Sequence, residues 1–149
     1  MVDESLHLVC PHCHTTNRVR RADLQKQADC GQCHHALFTG RPVALTESQF
    51  DKHLQRNQIP MLVDFWAPWC GPCRQMAPAY EQAAAELEPR LRLAKVNTEE
   101  AQSLAARYQI RSIPTLALFS GGREVARQAG AMGKADIVRW TEAQLGALR

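Results

Sequence analysis

An α/β fold, a mixed central sheet flanked by helices and preceded by a small N-terminal appendage, is predicted by three features of the chain. Beyond residue 41, short apolar runs of strand length alternate with longer stretches of helical period, in the order βαβαβαββα. Residues 1–40 are different in kind: polar, rich in Cys and His, and short of large apolar residues, with Leu6, Leu8, Val9, Val19, Leu24, Leu37 and Phe38 the main ones. That set is too small for a free-standing core, so a segment of this size needs a metal or a cross-link to fold. Finally, all six cysteines fall into three C-x-x-C units, two within the first forty residues and one behind an apolar strand. The expected division is 1–40 and 41–149, with Gly40-Arg41-Pro42 as the junction.

The elements follow in order. Pro42 to Leu45 is a short strand. Thr46 has the character of a helix N-cap, with Gln49 at the capping-box position, and the helix runs to about Gln55. Met61 to Trp66 is a buried strand. Cys70 to about Glu88 is a long helix interrupted by Pro78. Arg90 to Val96 is a strand and Glu99 to Tyr108 a helix. Thr115 to Phe119 and Glu124 to Ala129 are strands joined by a turn at Gly121-Gly122. Lys134 to Leu148 closes the chain as an amphipathic helix, with Ile137, Val138, Trp140, Thr141, Leu145 and Leu148 on one stripe.

Composition narrows the function classes. With 149 residues, 45% apolar and 22% charged, the chain can bury one core and carry an appendage. A formal charge of +3 is too weak to argue for nucleic acid, and the one basic cluster, Arg18, Arg20 and Arg21, is the size of a solvated face. No run approaches the roughly 18 apolar residues of a membrane span, and the acidic start Met1 to His7 lacks the form of an export signal. A cytoplasmic protein is expected. In a reducing compartment, C-x-x-C pairs are metal sites or catalytic dithiols.

The first two pairs have the spacing C-x2-C-x16-C-x2-C, inside the window for a structural zinc site. Cys10, Cys13, Cys30 and Cys33 are the expected ligands of one zinc, held by four thiolates in a closed tetrahedron. Pro11 and Gly31 suit the tight knuckles that point both sulfurs inward. Three alternatives stay open at this level. C-x-x-C-H, which occurs at His14 and His34, is also a haem-attachment pattern. One of His12, His14, His34 or His35 could replace a cysteine. The zinc thiolates could also serve as an oxidation switch.

Cys70-Gly71-Pro72-Cys73 is different. Cys70 falls where a strand and turn hand over to a helix, so unpaired N–H groups and the helix dipole favour its thiolate. Such a position lowers a thiol pKa from ~8.5 to ~7 or below. Cys73, one turn on, faces back toward Cys70, so the pair can close a disulfide. Trp66-Ala67-Pro68-Trp69-Cys70-Gly71-Pro72-Cys73 resembles the active-site motif of thioredoxins, and the likeness extends over about residues 42–149. Asp64, Pro78, Lys95, Ile113-Pro114-Thr115 and Gly130 match as well.

That resemblance implies a thioredoxin fold and a set of roles. Cys70 would attack and Cys73 resolve. Asp64, a buried carboxylate in an apolar strand, would take the proton of Cys73, and Lys95 would tune its charge. Ile113-Pro114 would be a cis peptide whose Ile113 backbone pairs with extended substrate. Trp69, Gly71 and Pro72 would form the flat surface around Cys70. Gly-Pro between the cysteines is similar to the reducing members of the superfamily. The implied activity is protein-disulfide reduction, with disulfide-containing proteins as substrates, thioredoxin reductase fed by NADPH as partner, no tightly bound organic cofactor, and a monomeric chain. The whole layout is similar to a bacterial branch, often called thioredoxin 2, with an N-terminal zinc-binding extension. A binding or chaperone-like module with dispensable redox chemistry is the competing class.

Overall fold

The computed structural model describes residues 5–148. Met1 to Glu4, part of the segment weighed as a possible export signal, and Arg149 lie outside them. Among the described residues, the main body is a five-stranded sheet in the order β3-β5-β4-β6-β7, built from β3 (Val43–Ala44), β4 (Met61–Trp66), β5 (Arg92–Asn97), β6 (Thr115–Ser120) and β7 (Arg123–Ala129). The strands β3, β5 and β4 run parallel, while β6 and β7 are antiparallel additions. Helices α1 (Glu47–Arg56), α2 (Gly71–Leu87), α3 (Gln102–Arg107) and α4 (Lys134–Ala147) cover its faces. This is the mixed, helix-flanked sheet that the sequence predicts.

Strand alternation sorts the core into two layers. Met61, Val63 and Phe65 pack with Phe50 and Leu54 of α1 and Leu104 of α3. Leu62, Leu93, Leu116 and Leu118 pack with Met76 and Tyr80 of α2 and Ile137 of α4. Asp64, Trp66 and Lys95 share the parity of Leu62 and Leu93, so they emerge on the α2 side.

Several boundaries differ from expectation for identifiable reasons. Helix α3 starts at Gln102 because the Asn97 side chain accepts the Glu99 N–H at 3.0 Å and holds 98–100 as a turn. It ends at Arg107, just before Gln109 at φ +52°. Helix α2 is a single helix through Pro78, without the interruption expected there. Leu148, placed on the apolar stripe of α4, is 40% exposed just beyond the helix end. At the β6–β7 turn both Gly121 and Gly122 take positive φ, as a tight hairpin requires.

The N-terminal segment contains structure that its composition did not disclose: an antiparallel pair, β1 (Ser5–Val9) and β2 (Thr16–Arg20). It docks on the main sheet at the start of β4 and β5. Leu6 and Leu8 are buried there, and Asn57, beyond α1, accepts the Val9 N–H at 2.9 Å. The backbones of His7 and Gln58 are joined at 2.9 Å, and the His7 N–H reaches Gln58 Oε1 at 2.8 Å.

Arg92 is the centre of this contact. Fully buried, it donates through Nη2 to the carbonyls of Leu37 at 2.8 Å and Val9 at 3.2 Å. Its guanidinium carbon sits 4.4 Å above the Phe38 ring, and Nη1 lies 3.5 Å from Glu88 Oε2. Glu88 in turn accepts the N–H groups of Gly40 and Leu93. Burial raises Glu88 and lowers Arg92, and the attraction between them opposes both shifts. Removing Arg92 leaves the Glu88 carboxylate and the carbonyls of Val9 and Leu37 unpaired. Arg92→Met should therefore cost about 3 to 5 kcal/mol in chemical denaturation, whereas Arg92→Met with Glu88→Gln should cost less. Equal losses in the two variants would contradict the pairing.

Candidate active site and metal centre

The dithiol lies where β4 ends. Trp66 to Trp69 turn the chain, and Cys70 becomes the N-cap of α2, its Sγ accepting the Cys73 N–H at 3.2 Å. Cys70 and Cys73 are joined as a disulfide. Both are buried as residues, while the neighbouring Trp69 is 67% exposed. Gly71 and Pro72 occupy the first helical positions, where Pro is tolerated because its missing N–H would have no partner. The loop before β6 closes the other side. Its Ile113-Pro114 peptide is cis, and the Ile113 carbonyl oxygen is 3.8 Å from Cys70 Sγ. Ala67, Trp66 and Ile113 form the apolar packing around the disulfide.

Beneath this surface, Asp64 pairs in register with Lys95 on β5 and Leu116 on β6. The carboxylate is 1% exposed, and its Oδ1 finds no hydrogen-bond partner among the described residues. Desolvation pushes its pKa up to about 7, with the Lys95 charge pulling the other way. Lys95 Nζ stands 4.5 Å over the half-buried Trp66 ring, which holds the ammonium near the strand end. Tyr80 is fixed beside them, its hydroxyl 2.8 Å from the Ala94 carbonyl and 3.0 Å from that of Leu62.

At the other end of the sheet the remaining four cysteines converge. Their Sγ atoms all lie within 4.8 Å of one another, with Cys10–Cys33 and Cys13–Cys30 at 3.6 Å. A zinc tetrahedron with ~2.3 Å bonds has sulfur–sulfur edges of about 3.8 Å, so the set fits such an ion closely. The two knuckles are built alike. The carbonyls of Cys10 and Cys30 accept the N–H groups of His14 and His34, which take φ +64° and +68°. The N–H groups of His12 and Gln32 point at Cys10 Sγ and Cys30 Sγ at 3.3 and 3.4 Å. Backbone N–H donation, chiefly from Cys33, with the Asn17 amide at 3.3 Å, brings the Cys30 thiol down to about 5. The four thiols do not share one shift: against the backbone N–H of His35, burial and the neighbouring sulfurs push Cys33 up to about 12.

The histidines fall into separate places. His14 turns away from the sulfurs to meet His53 of α1, Nδ1 to Nε2 at 2.9 Å. His53, fully buried, is pushed down to about 3 by desolvation and is therefore neutral. His12 and His35 stack on each other beside Cys33. Sequence reasoning missed His53, Asn57, Glu88 and Arg92. Nothing in the local pattern marks them, because each lies at an element end where polar residues are ordinary.

A cysteine pair at disulfide distance on a helix N-terminus, within a mixed sheet, defines a thiol–disulfide oxidoreductase. Comparison with known proteins agrees. The family model described as Thioredoxin matches residues 41–143. Thioredoxin C-3 of Corynebacterium nephridii is 41% identical over 138 residues, 93% of this chain and 94% of that protein. Thioredoxin 1 of a Nostoc species is 44% identical over 101 residues, 68% of this chain and 94% of that protein. The chloroplastic thioredoxin M-type of Chlamydomonas reinhardtii is 43% identical over 102 residues, 68% of this chain and 73% of that protein. This chain belongs to the thioredoxin family. The C. nephridii match is long enough to reach into the first forty residues, whereas the other two have the length of the sheet domain.

The raised Asp64 carboxyl has a consequence for stability. It ionises near pH 4 when unfolded and near 7 when folded, so the native state holds the extra proton between those values. Stability of the oxidised protein should fall as pH rises from 4 to 7 and then level off. Asp64→Asn should flatten that slope and stabilise the protein at pH 8 by up to about 4 kcal/mol. Urea melts of the disulfide form at pH 4 and pH 8 measure the difference; an unchanged slope would refute the assignment.

Proposed function

We propose that this chain is a cytoplasmic, monomeric protein-disulfide reductase of the thioredoxin 2 type, recharged by an NADPH-dependent thioredoxin reductase. The observation that carries the reading is the Cys70–Cys73 pair at the start of α2, with Trp69 exposed beside it and the Ile113 carbonyl against Cys70. In the reduced form, Cys70 as thiolate attacks one sulfur of a target disulfide. A Cys70–target bond forms, and the other target sulfur leaves as a thiolate. Cys73 then gives up its proton and attacks Cys70 Sγ. The mixed bond breaks, the second target thiolate leaves, and the two electrons have passed to the target. Asp64 takes the Cys73 proton, Lys95 sets the ease of that transfer, and neither needs to touch the target. Trp69, Gly71, Pro72, Ile113 and Pro114 form the docking surface, with the Ile113 backbone pairing to an extended segment of substrate. No organic cofactor is required, because the dithiol itself carries both electrons.

Residues 1–40 act as a zinc module and 41–149 as the redox domain. The start of the family match at residue 41 supports this division. Cys10, Cys13, Cys30 and Cys33 hold one zinc, which supplies a structural cross-link and, with all four positions taken by sulfur, no open coordination site. The sulfur spacing and the N–H groups directed at the sulfurs support zinc as the ion. The four-cysteine cluster and the long match to the C. nephridii protein support the thioredoxin 2 assignment.

Cys70→Ser should abolish reduction of a protein disulfide such as that of insulin. Cys73→Ser should accumulate a covalent complex with the target on a non-reducing gel. Full turnover by Cys70→Ser would overturn the mechanism. For the module, elemental analysis of untagged Cys70→Ser/Cys73→Ser protein, purified without chelator, should find zinc, and stripping the metal should unmask four reactive thiols and unfold the module. A metal-free protein whose module remains folded would overturn the structural-zinc reading.

A further inference from the structure

We propose that the module carries a second, solvent-facing transition-metal site formed by His12, His35 and Cys33. One imidazole comes from each side of the four-cysteine cage: His12 from inside the first knuckle, His35 from just beyond the second. Their rings stack at 3.7 Å between centroids and 15° between planes, and one nitrogen of each, with Cys33 Sγ, lies within 4.8 Å of the others. Both histidines are exposed and Cys33 is only half-buried, in contrast to the buried Cys10 and Cys30. An ion can therefore reach this sulfur from solvent, and the two rings can turn to aim their lone pairs without disturbing the core.

The chemistry of the set favours a cation. Two imidazoles and a thiolate are the donors of zinc and its neighbours in the first transition row. Four thiolates around a divalent ion leave two net negative charges, and a shared Cys33 sulfur would bridge the two ions. Three protein donors leave at least one position for water or an external ligand, the arrangement of an open rather than a closed site. His12 and His35 also border a groove of about 570 Å³ whose wall includes Pro11, Ala36, Pro42 and Val43. That space gives such a ligand room beside the metal. The cage is saturated by its own sulfurs, so this second position is where the module could exchange a ligand.

This inference rests on the cage reading, and metal counting separates the two. Untagged full-length protein is dialysed against excess zinc chloride, then against metal-free buffer, and zinc per chain is measured for wild type, His12→Ala/His35→Ala and His34→Ala. The expected counts are about two, about one and about two. His34→Ala is the control, since His34 neighbours Cys33 but is not in the cluster. A wild-type count of one overturns the second site and leaves the cage standing. Two in the double variant also overturns it, because the extra ion then lies elsewhere. None in any protein overturns both readings. Cobalt(II) provides an independent readout: the second equivalent should change the visible spectrum of wild type and not that of the double variant.

Discussion

The connection from β4 through α2 to β5 is the constraint on which both sites depend. It sets the N-terminus of one seventeen-residue helix at the ends of the parallel strands and its C-terminus at their beginnings. Cys70 caps the first end, and Glu88 is the C-cap of the other. At 1.5 Å per residue the two are separated by roughly 25 Å. The dithiol obtains the unpaired N–H groups and positive dipole of a helix start, while the module is tied to the far end through Glu88, Arg92 and the β1–β2 pair. The cage and the dithiol thus belong to opposite ends of one rigid element.

Two buried carboxylates on this framework show how surroundings decide role. Asp64 and Glu88 are both removed from water, and burial raises the pKa of each. Glu88 is compensated: Arg92 stands beside it and two backbone N–H groups donate to it. Its charge is committed to holding the chain together. Among the described residues Asp64 Oδ1 has no donor, and only the charge of Lys95, whose ammonium is engaged over Trp66, opposes its desolvation. A carboxyl left that way titrates near neutrality, and so can exchange a proton under the conditions in which thiols react.

Much of the framework could be read from the chain because its signals are local. The alternation of apolar runs, Thr46 and Gln49 around a helix start, and Gly121-Gly122 at a hairpin each act over a few residues. The same holds for the C-x-x-C units, whose spacing alone places two sulfurs on one turn. What escaped was set by contacts distant in sequence. Arg92 bonds to Val9 and Leu37, and His14 meets His53, across separations that no periodicity encodes. The β1–β2 pair was hidden because its apolar residues are few and divide their burial between the main body and the cluster of Cys10, Cys30 and Leu37. Helix α3 was overestimated because the chain first makes a turn over 98–100, closed by the Asn97 side chain, and Ala101 leaves helical dihedrals at φ −115° and ψ 60°, which apolar periodicity does not register.

The docking geometry limits how the module can influence the redox site. The module's contacts with the main body are at α1, Glu88 and Arg92, while Trp69 at the other end stays 67% exposed. The module touches α1 and the residues beyond it through His53, Asn57 and Gln58, and meets α2 and β5 at Glu88 and Arg92. Of these elements, β5 and α2 run on to the redox site. Both begin or end at the Arg92–Glu88 pair and both reach the site, β5 through Lys95 and α2 through Cys70 and Cys73. Arg92 Nη2 is bonded to the carbonyls of Val9, which immediately precedes Cys10, and Leu37, four residues beyond Cys33. A change in the cage would therefore be felt first as a change in the partners of a buried guanidinium. Since leaving that charge without partners is costly, loss of the cage should also weaken the packing at the start of β5. The four cysteines are in this sense part of the support for the strand that carries Lys95, even though they stand at the opposite end from the dithiol.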